Sequence, residues 1–184
     1  MLSAMVGRDD GDAATDGSVG KAVFDYEKRL DANALKGVRV GILRKEMGWH
    51  PDVDAAMERV VARLQSAGAV VDDAEVPTKG QWDEPEFEVL LYEFKAGLEH
   101  YLQTHDAGHK TLADLMAFNN ANVAKEMPYF AQEIFEKANA KGPLGEAAYL
   151  DARAKAKRLA GPDGIDVALK NANVDVLIAP AMSP

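Results

Sequence analysis

Residues 37–43 read GVRVGIL, residues 51–67 read PDVDAAMERVVARLQSA, and residues 68–76 read GAVVDDAEV. The first stretch is an apolar run typical of a buried strand, and the second repeats its apolar residues at helical spacing. Pro51 suits the first turn of that helix, and Gly68 suits its carboxyl-terminal cap. A strand, a helix and a strand of these lengths predict a βαβ unit over residues 37–77 with parallel strands.

The regions on either side of this unit predict a larger α/β fold. Residues 1–36 read as a lead-in helix and loop, and residues 174–184 read as a returning strand and loop. Between them, residues 84–172 predict a helical subdomain. Its helices begin near Glu84 and after a cap at Thr111, and then span 126–140, 145–159 and 165–172, with a turn at 161–164. We therefore expect residues 1–184 to form one segment of a domain, with the βαβ unit as part of a mixed sheet.

The last strand of the sequence suggests that more protein surrounds it. Residues 174–180 read VDVLIAP, which predicts a buried strand followed by a proline-bounded loop. Such a strand needs partners on both of its faces. We therefore expect this chain to be a piece of a larger protein. Alone, it would expose strand edges and apolar faces and could self-associate.

Composition and charge exclude several classes of function. The chain has 184 residues, 47% of them hydrophobic and 28% charged, which is typical of a soluble globular protein. Its net charge of -9 opposes binding to nucleic acid and to anionic membranes, so we expect neither partner. The absence of cysteine excludes disulfides and thiolate metal sites but does not fix the compartment.

Candidate nucleophiles and metal ligands are few. The four serines are Ser3, Ser18, Ser66 and Ser183, and none of them lies in a nucleophile motif. His105 and His109 have helical ligand spacing, but Gly108 between them disfavours a helix, which favours a polar helix end. The acidic run of Asp9, Asp10 and Asp12 lacks the spacing of a calcium loop and predicts a solvated turn. We expect no metal and no cofactor.

One aromatic cluster could contact a ligand. Residues 126–130 read EMPYF, which places Tyr129 and Phe130 at the predicted start of a helix after Pro128. Adjacent helix residues point about 100° apart, so one aromatic would face the core and the other a groove or solvent. The cluster could line an apolar substrate pocket, or both rings could belong to the core.

Several stretches, in this order, resemble the amidase signature family of amide hydrolases. They are residues 1–15, 35–43, 68–71, 92–95, 112–115, 118–119, 126–132 and 175–180. The stretch at 126–132, EMPYFAQ, is similar to peptide-amidase-like members. The resemblance therefore covers nearly the whole chain.

The resemblance implies chemistry that this chain does not itself contain. The family uses a Ser–Ser–Lys triad in a glycine- and serine-rich stretch, which would lie before Met1, and no residue here matches it. The resemblance implies that the larger protein, of which this chain would be a piece, cleaves small-molecule amides or C-terminal peptide amides. It further implies that this segment completes the sheet, covers the substrate cleft and is inactive alone. Ala181 stands where the family usually has threonine. The alternative is a non-catalytic module that binds a peptide or protein.

Overall fold

The computed structural model describes residues 1–105 and 108–181, which form two units. One unit comprises Met1–Asp73 and the chain from Asn173, and the other comprises Ala74–Ala172. The helices are α1 Leu2–Met5, α2 Pro51–Ser66, α3 Asp83–Thr104, α4 Leu112–Ala121, α5 Val123–Glu126, α6 Glu133–Asn139, α7 Ala147–Ala160 and α8 Asp166–Ala172. None of these helices is long and apolar enough to cross a membrane.

Three parallel strands form the sheet of the first unit. They are β1 Arg39–Ile42, β2 Val70–Asp73 and β3 Val176–Ile178, and β1 lies in the middle. Val40 is opposite Val71 on one side and Val176 on the other, and Val40 and Ile42 are almost fully buried. The α/β class and the parallel βαβ unit are thus confirmed. An antiparallel strand does not occur among the described residues, so the mixed sheet stays a prediction.

Pro51 and Gly68 lie at the two ends of the helix in the βαβ unit, as the sequence predicts. Pro51 is the first residue of α2, and the His50 Nδ1 accepts a hydrogen bond from the Asp52 N–H at 3.3 Å. Gly68 follows the helix with a φ of +92°, in the left-handed region that favours glycine. Its carbonyl accepts from the Gly37 N–H at 2.8 Å, which ties the helix end to the start of the first strand.

Strand β3 is an edge strand and is only partly buried in this chain. Val176 is 43% exposed, whereas Val174 just before it is buried. Among the described strands, β3 pairs only with β1, so its other edge has no strand beside it. The start of β3 is held by Arg39, which donates to Asp175 Oδ1 at 2.6 Å and to Asn173 Oδ1 at 2.5 Å.

This ion pair predicts acid sensitivity. The side-chain hydrogen bond from Arg39, aided by its backbone N–H, lowers the pKa of Asp175 to about 2. A carboxylate whose pKa falls on folding stabilises the native state above its unfolded pKa, near 3.9, and loses that effect as the pH falls toward 2. We expect Asp175→Asn to lower the melting temperature at pH 7 and to change it little at pH 2.

Melting curves of the chain and the variant between pH 7 and pH 2 test this. Asp151→Asn, at an exposed position of α7, is the matched control. If the melting temperatures of Asp175→Asn and the unmutated chain differ as much at pH 2 as at pH 7, the ionised Asp175 is not the source of the stabilisation.

One hydrophobic core cluster of the second unit lies where α3, α4 and α6 meet. Leu91, Leu112 and Ala138 are its buried residues, and Phe94, Leu98, Met116 and Phe135 pack against them. Leu112 is fully buried at the start of α4, whose capping box is formed by Thr111 and Asp114. The cap predicted at Thr111 is thus confirmed.

Helices α3 and α7 are joined by two tyrosines, each of which donates a hydrogen bond to a glutamate. Tyr92 of α3 donates to Glu146 Oε2 at 2.7 Å, and Tyr149 of α7 donates to Glu93 Oε1 at 2.7 Å. The two rings lie 5.5 Å apart. The hydrogen bond to Glu146 raises the pKa of Tyr92 to about 12, so this phenol stays protonated. The pair is therefore a structural contact between two helices.

The predicted turn at residues 161–164 is wrong. Gly161–Ile165 form a π-helical turn that continues α7 into α8. Pro162 lacks an N–H, and a wider turn leaves helix carbonyls in need of donors. Thr78 Oγ1 supplies one by donating to the Leu159 carbonyl at 2.6 Å. Such a distant side-chain donor cannot be inferred from the local Gly-Pro-Asp-Gly pattern.

Candidate functional site

Tyr129 and Phe130 lie in an irregular segment between two helices. The single helix predicted over 126–140 is wrong, because α5 ends at Glu126 and α6 begins at Glu133. Met127 has non-helical backbone angles, as a residue before proline usually does. Pro128 has no N–H, so it cannot continue the hydrogen bonds of α5. We call residues 127–132 the aromatic segment.

Both aromatic side chains of this segment point away from the core. Tyr129 is 89% exposed and Phe130 is 82% exposed. The interpretation of the cluster as core is therefore wrong, and so is the expectation that one ring faces the core. Two adjacent aromatic rings on the surface present a large apolar area to water, which is typical of surfaces that bind a ligand or another protein. Their contact with a substrate stays a prediction.

Hydrogen bonds hold both ends of the aromatic segment. At its start, the Met127 N–H donates to the Val123 carbonyl at 2.9 Å. At its end, Gln132 is buried, and its side-chain amide bonds to α4. Gln132 Nε2 donates to Asn120 Oδ1 at 2.8 Å and to the Met116 carbonyl at 3.4 Å. Asn119 Nδ2 donates to Gln132 Oε1 at 3.2 Å.

Sequence reasoning missed the role of these amides. Asn119 and Gln132 lie in stretches that resemble the family but carried no expected function, and Asn120 lies just outside them. The sequence does hold one indication of these contacts: amide side chains within an otherwise apolar helical pattern need hydrogen-bond partners when they are buried. Their pairing across 12 and 13 residues could not be read from either stretch alone.

The serines of the described residues donate hydrogen bonds to structural partners. Ser3 donates to Glu27 Oε2 at 2.8 Å, Ser18 donates to the Thr15 carbonyl at 2.7 Å, and Ser66 donates to the Arg63 carbonyl at 2.8 Å. Ser183 lies outside the described residues. A nucleophilic serine needs a base beside its hydroxyl, and the backbone carbonyls that accept from Ser18 and Ser66 cannot take a proton. Glu27, which accepts from Ser3, is a weakened base because a backbone hydrogen bond and the Ser3 hydroxyl lower the pKa of its carboxylate.

The histidines and aspartates considered above as metal ligands make ordinary structural contacts. His105 ends α3, where its ring stacks on Tyr101 at 4.2 Å, while the ring of His109 meets the edge of Phe118. Asp9 Oδ1 accepts from the Gly11 N–H, and Asp12 Oδ1 accepts from the Ala14 N–H. Within residues 1–105 and 108–181, no group of three such side chains is arranged to hold a metal ion.

Comparison with known proteins gives consistent matches. The family model described as Amidase matches residues 1–184. A peptide amidase crystallised with the competitive inhibitor chymostatin matches with a TM-score of 0.84 and 46% identity, over 94% of this chain and 36% of that chain. Native peptide amidase from Stenotrophomonas maltophilia gives a TM-score of 0.84 and 45% identity, over 96% of this chain and 36% of that chain.

More distant relatives share the sequence pattern or the fold. A glutamyl-tRNA(Gln) amidotransferase subunit from Acinetobacter baylyi is 36% identical over 74 residues, which are 39% of this chain and 14% of that protein. An amidase family protein from Bacillus anthracis is 24% identical with a TM-score of 0.76, and the match covers 96% of this chain and 34% of that chain, which shows a shared fold. The chain thus spans 36% of the peptide amidases and a smaller part of the amidotransferase protein.

Proposed function

Because the chain belongs to the amidase family, we propose that it is part of a hydrolase that cleaves amide bonds, with C-terminal peptide amides as the favoured substrate class. The observation that carries this proposal is the 46% identity to a peptide amidase over 94% of the chain. A match of that coverage is not confined to the sheet, so it supports a shared substrate class better than a likeness of one motif would.

We further propose a division of labour within the whole enzyme. The family's Ser–Ser–Lys triad would come from residues outside this chain. This chain would complete the sheet with β1, β2 and β3, and its aromatic segment would cover part of the substrate cleft. The exposure of Tyr129 and Phe130 supports this role, because both rings are free to contact a bound peptide.

The 184-residue chain by itself should show no amide hydrolysis. The hydroxyls of Ser3, Ser18 and Ser66 donate to acceptors that are not bases of a triad. The measurement is release of ammonia from a peptide amide, with the full-length amidase as the positive control. Hydrolysis by the purified chain that is lost when one of its four serines is replaced would overturn this division of labour.

In the full-length enzyme, Tyr129→Ala and Phe130→Ala should each raise KM for peptide amides by about tenfold, as expected for loss of roughly 1.4 kcal/mol of binding. Because both side chains are exposed, the unfolding free energy should change by about 0.5 kcal/mol or less. Tyr101→Ala, at a 55% exposed aromatic of α3, is the matched control and should leave KM unchanged.

The same measurements distinguish the hydrolase from the alternative function, a non-catalytic binding module. A non-catalytic module would bind peptide amides, with binding weakened by Tyr129→Ala, but the full-length protein would release no ammonia. If both aromatic variants keep the KM of the unmutated enzyme, the aromatic segment does not contact substrate.

A further inference from the structure

A cluster of three side-chain amides lies where the aromatic segment joins α6. We define the amide cluster as Asn119, Asn120 and Gln132. Gln132 is its buried member, 9% exposed, whereas Asn120 is exposed on the last turn of α4. Gln132 is also the residue just before α6, where the Glu136 N–H bonds to its backbone carbonyl at 3.0 Å. The cluster therefore connects α4, the aromatic segment and α6 through one residue.

The chemistry of the neighbours fixes the orientation of the Gln132 amide. A backbone carbonyl can only accept hydrogen bonds, so the group that faces the Met116 carbonyl must be the Gln132 NH₂. That NH₂ has two hydrogens, and both have an acceptor, at Met116 and at Asn120 Oδ1. The Gln132 oxygen in turn accepts from Asn119 Nδ2. A side chain of the same shape without two donors cannot make this set of bonds.

The aromatic segment depends on this anchor because its other contacts are weak. Tyr129 and Phe130 are mostly exposed, so burial of their rings contributes little to fixing the segment. Pro128 stiffens the backbone at one point but supplies no hydrogen-bond donor. Segments with few buried contacts open locally at low free-energy cost unless hydrogen bonds at their ends hold them.

We propose that Gln132 is a positioning residue: through Asn119, Asn120 and the Met116 carbonyl it holds Tyr129 and Phe130 where they meet the substrate. This inference rests on the proposed function, in which the two rings contact a peptide amide. Gln132 is buried and does not touch substrate itself. Its effect is to fix the segment before binding, which lowers the ordering cost that the substrate would otherwise meet.

The first test needs no enzymatic activity. Chymotrypsin cleaves after tyrosine and phenylalanine, but only where several residues can open into an extended form, so a fixed exposed segment is cut slowly. In the 184-residue chain, Gln132→Met and Gln132→Glu should increase the cleavage rate after Tyr129 and Phe130 by about tenfold or more, while cleavage after Tyr101 changes less than twofold. Gln103→Met and Gln103→Glu, at an exposed position of α3, are the matched controls.

A second pair of variants protects the test against misfolding. Asn120 is exposed, so its replacement leaves the core intact. Asn120→Asp keeps an oxygen that accepts from the Gln132 NH₂ and should keep cleavage at the unmutated rate. Asn120→Leu removes that acceptor and should increase cleavage at the aromatic segment. Equal acceleration at Tyr101 and at the segment, in both Gln132→Met and Asn120→Leu, would mean general unfolding and would overturn the proposal.

The third measurement is kinetic and uses the full-length enzyme. Gln132→Met and Asn120→Leu should raise KM for a peptide amide about tenfold with kcat within twofold, because positioning affects binding and not the bond-breaking step. Asn120→Asp should keep the original KM. If Tyr129→Ala raises KM but Gln132→Met does not, this proposal is wrong and the proposed substrate contact stands. If neither variant changes KM, both are wrong.

Discussion

Replacing Leu112 by alanine should lower the free energy of unfolding by about 2–5 kcal/mol. Leu112 is fully buried and shares the core of its unit with Leu91 and Ala138. Removing its outer methyl groups leaves a cavity, and the partly buried aromatics that surround it, Phe94 and Phe135, are tilted against each other at 5.4 Å. Filling the cavity would require that aromatic pair to move.

Urea denaturation followed by far-ultraviolet circular dichroism measures this loss. Leu150→Ala is the matched control, because Leu150 is a helical leucine of α7 that is 48% exposed. Leu150→Ala should lower the free energy of unfolding by about 0.5 kcal/mol or less. Equal losses for the two leucines would show that the site of Leu112 is not the core of this unit.

Replacing Gly164 by alanine should lower the free energy of unfolding by about 1–3 kcal/mol, as overpacking does. A Cβ on Gly164 would lie 2.8 Å from Thr78 Oγ1 and closer still to the Leu159 carbonyl oxygen. These two atoms form the hydrogen bond that serves the π-helical turn. The added methyl group must therefore separate them or displace the helix backbone.

Gly97→Ala is a control that should move stability in the opposite direction. Gly97 lies inside α3, and a Cβ there would meet no heavy atom within 4 Å. Alanine favours a helix over glycine, so this variant should stabilise the chain by about 0.4–1 kcal/mol. Thermal melts of both variants in one buffer give the comparison. Stabilisation by both would contradict the close packing at Gly164.

The βαβ unit could be predicted because local residues determine it. Pro51 and Gly68 mark the two ends of α2, and the apolar run at β1 identifies the central strand. These signals act within a few residues and do not depend on distant partners. The resemblance to a family added the expected function, which composition and spacing alone would not have given.

Two of the failures involve polar contacts between distant residues, and the third concerns burial. The helix predicted over 126–140 is interrupted at the aromatic segment, whose end Gln132 bonds to α4. The turn predicted at 161–164 is helical, and Thr78 bonds to a carbonyl of the preceding helix, 81 residues away. Burial preference predicted that one or both of Tyr129 and Phe130 face the core, although both are exposed.

The pairing of β1 with β3 has a consequence for how the protein is made. Arg39 and Asp175 are 136 residues apart in sequence. A ribosome that adds about 5–20 residues per second needs roughly 7–27 seconds to synthesise that interval. During this time β2 can already cover one side of β1, while the other side keeps its backbone groups unpaired. We expect nascent chains to be most prone to strand exchange with each other in this interval, until β3 emerges and occupies that edge.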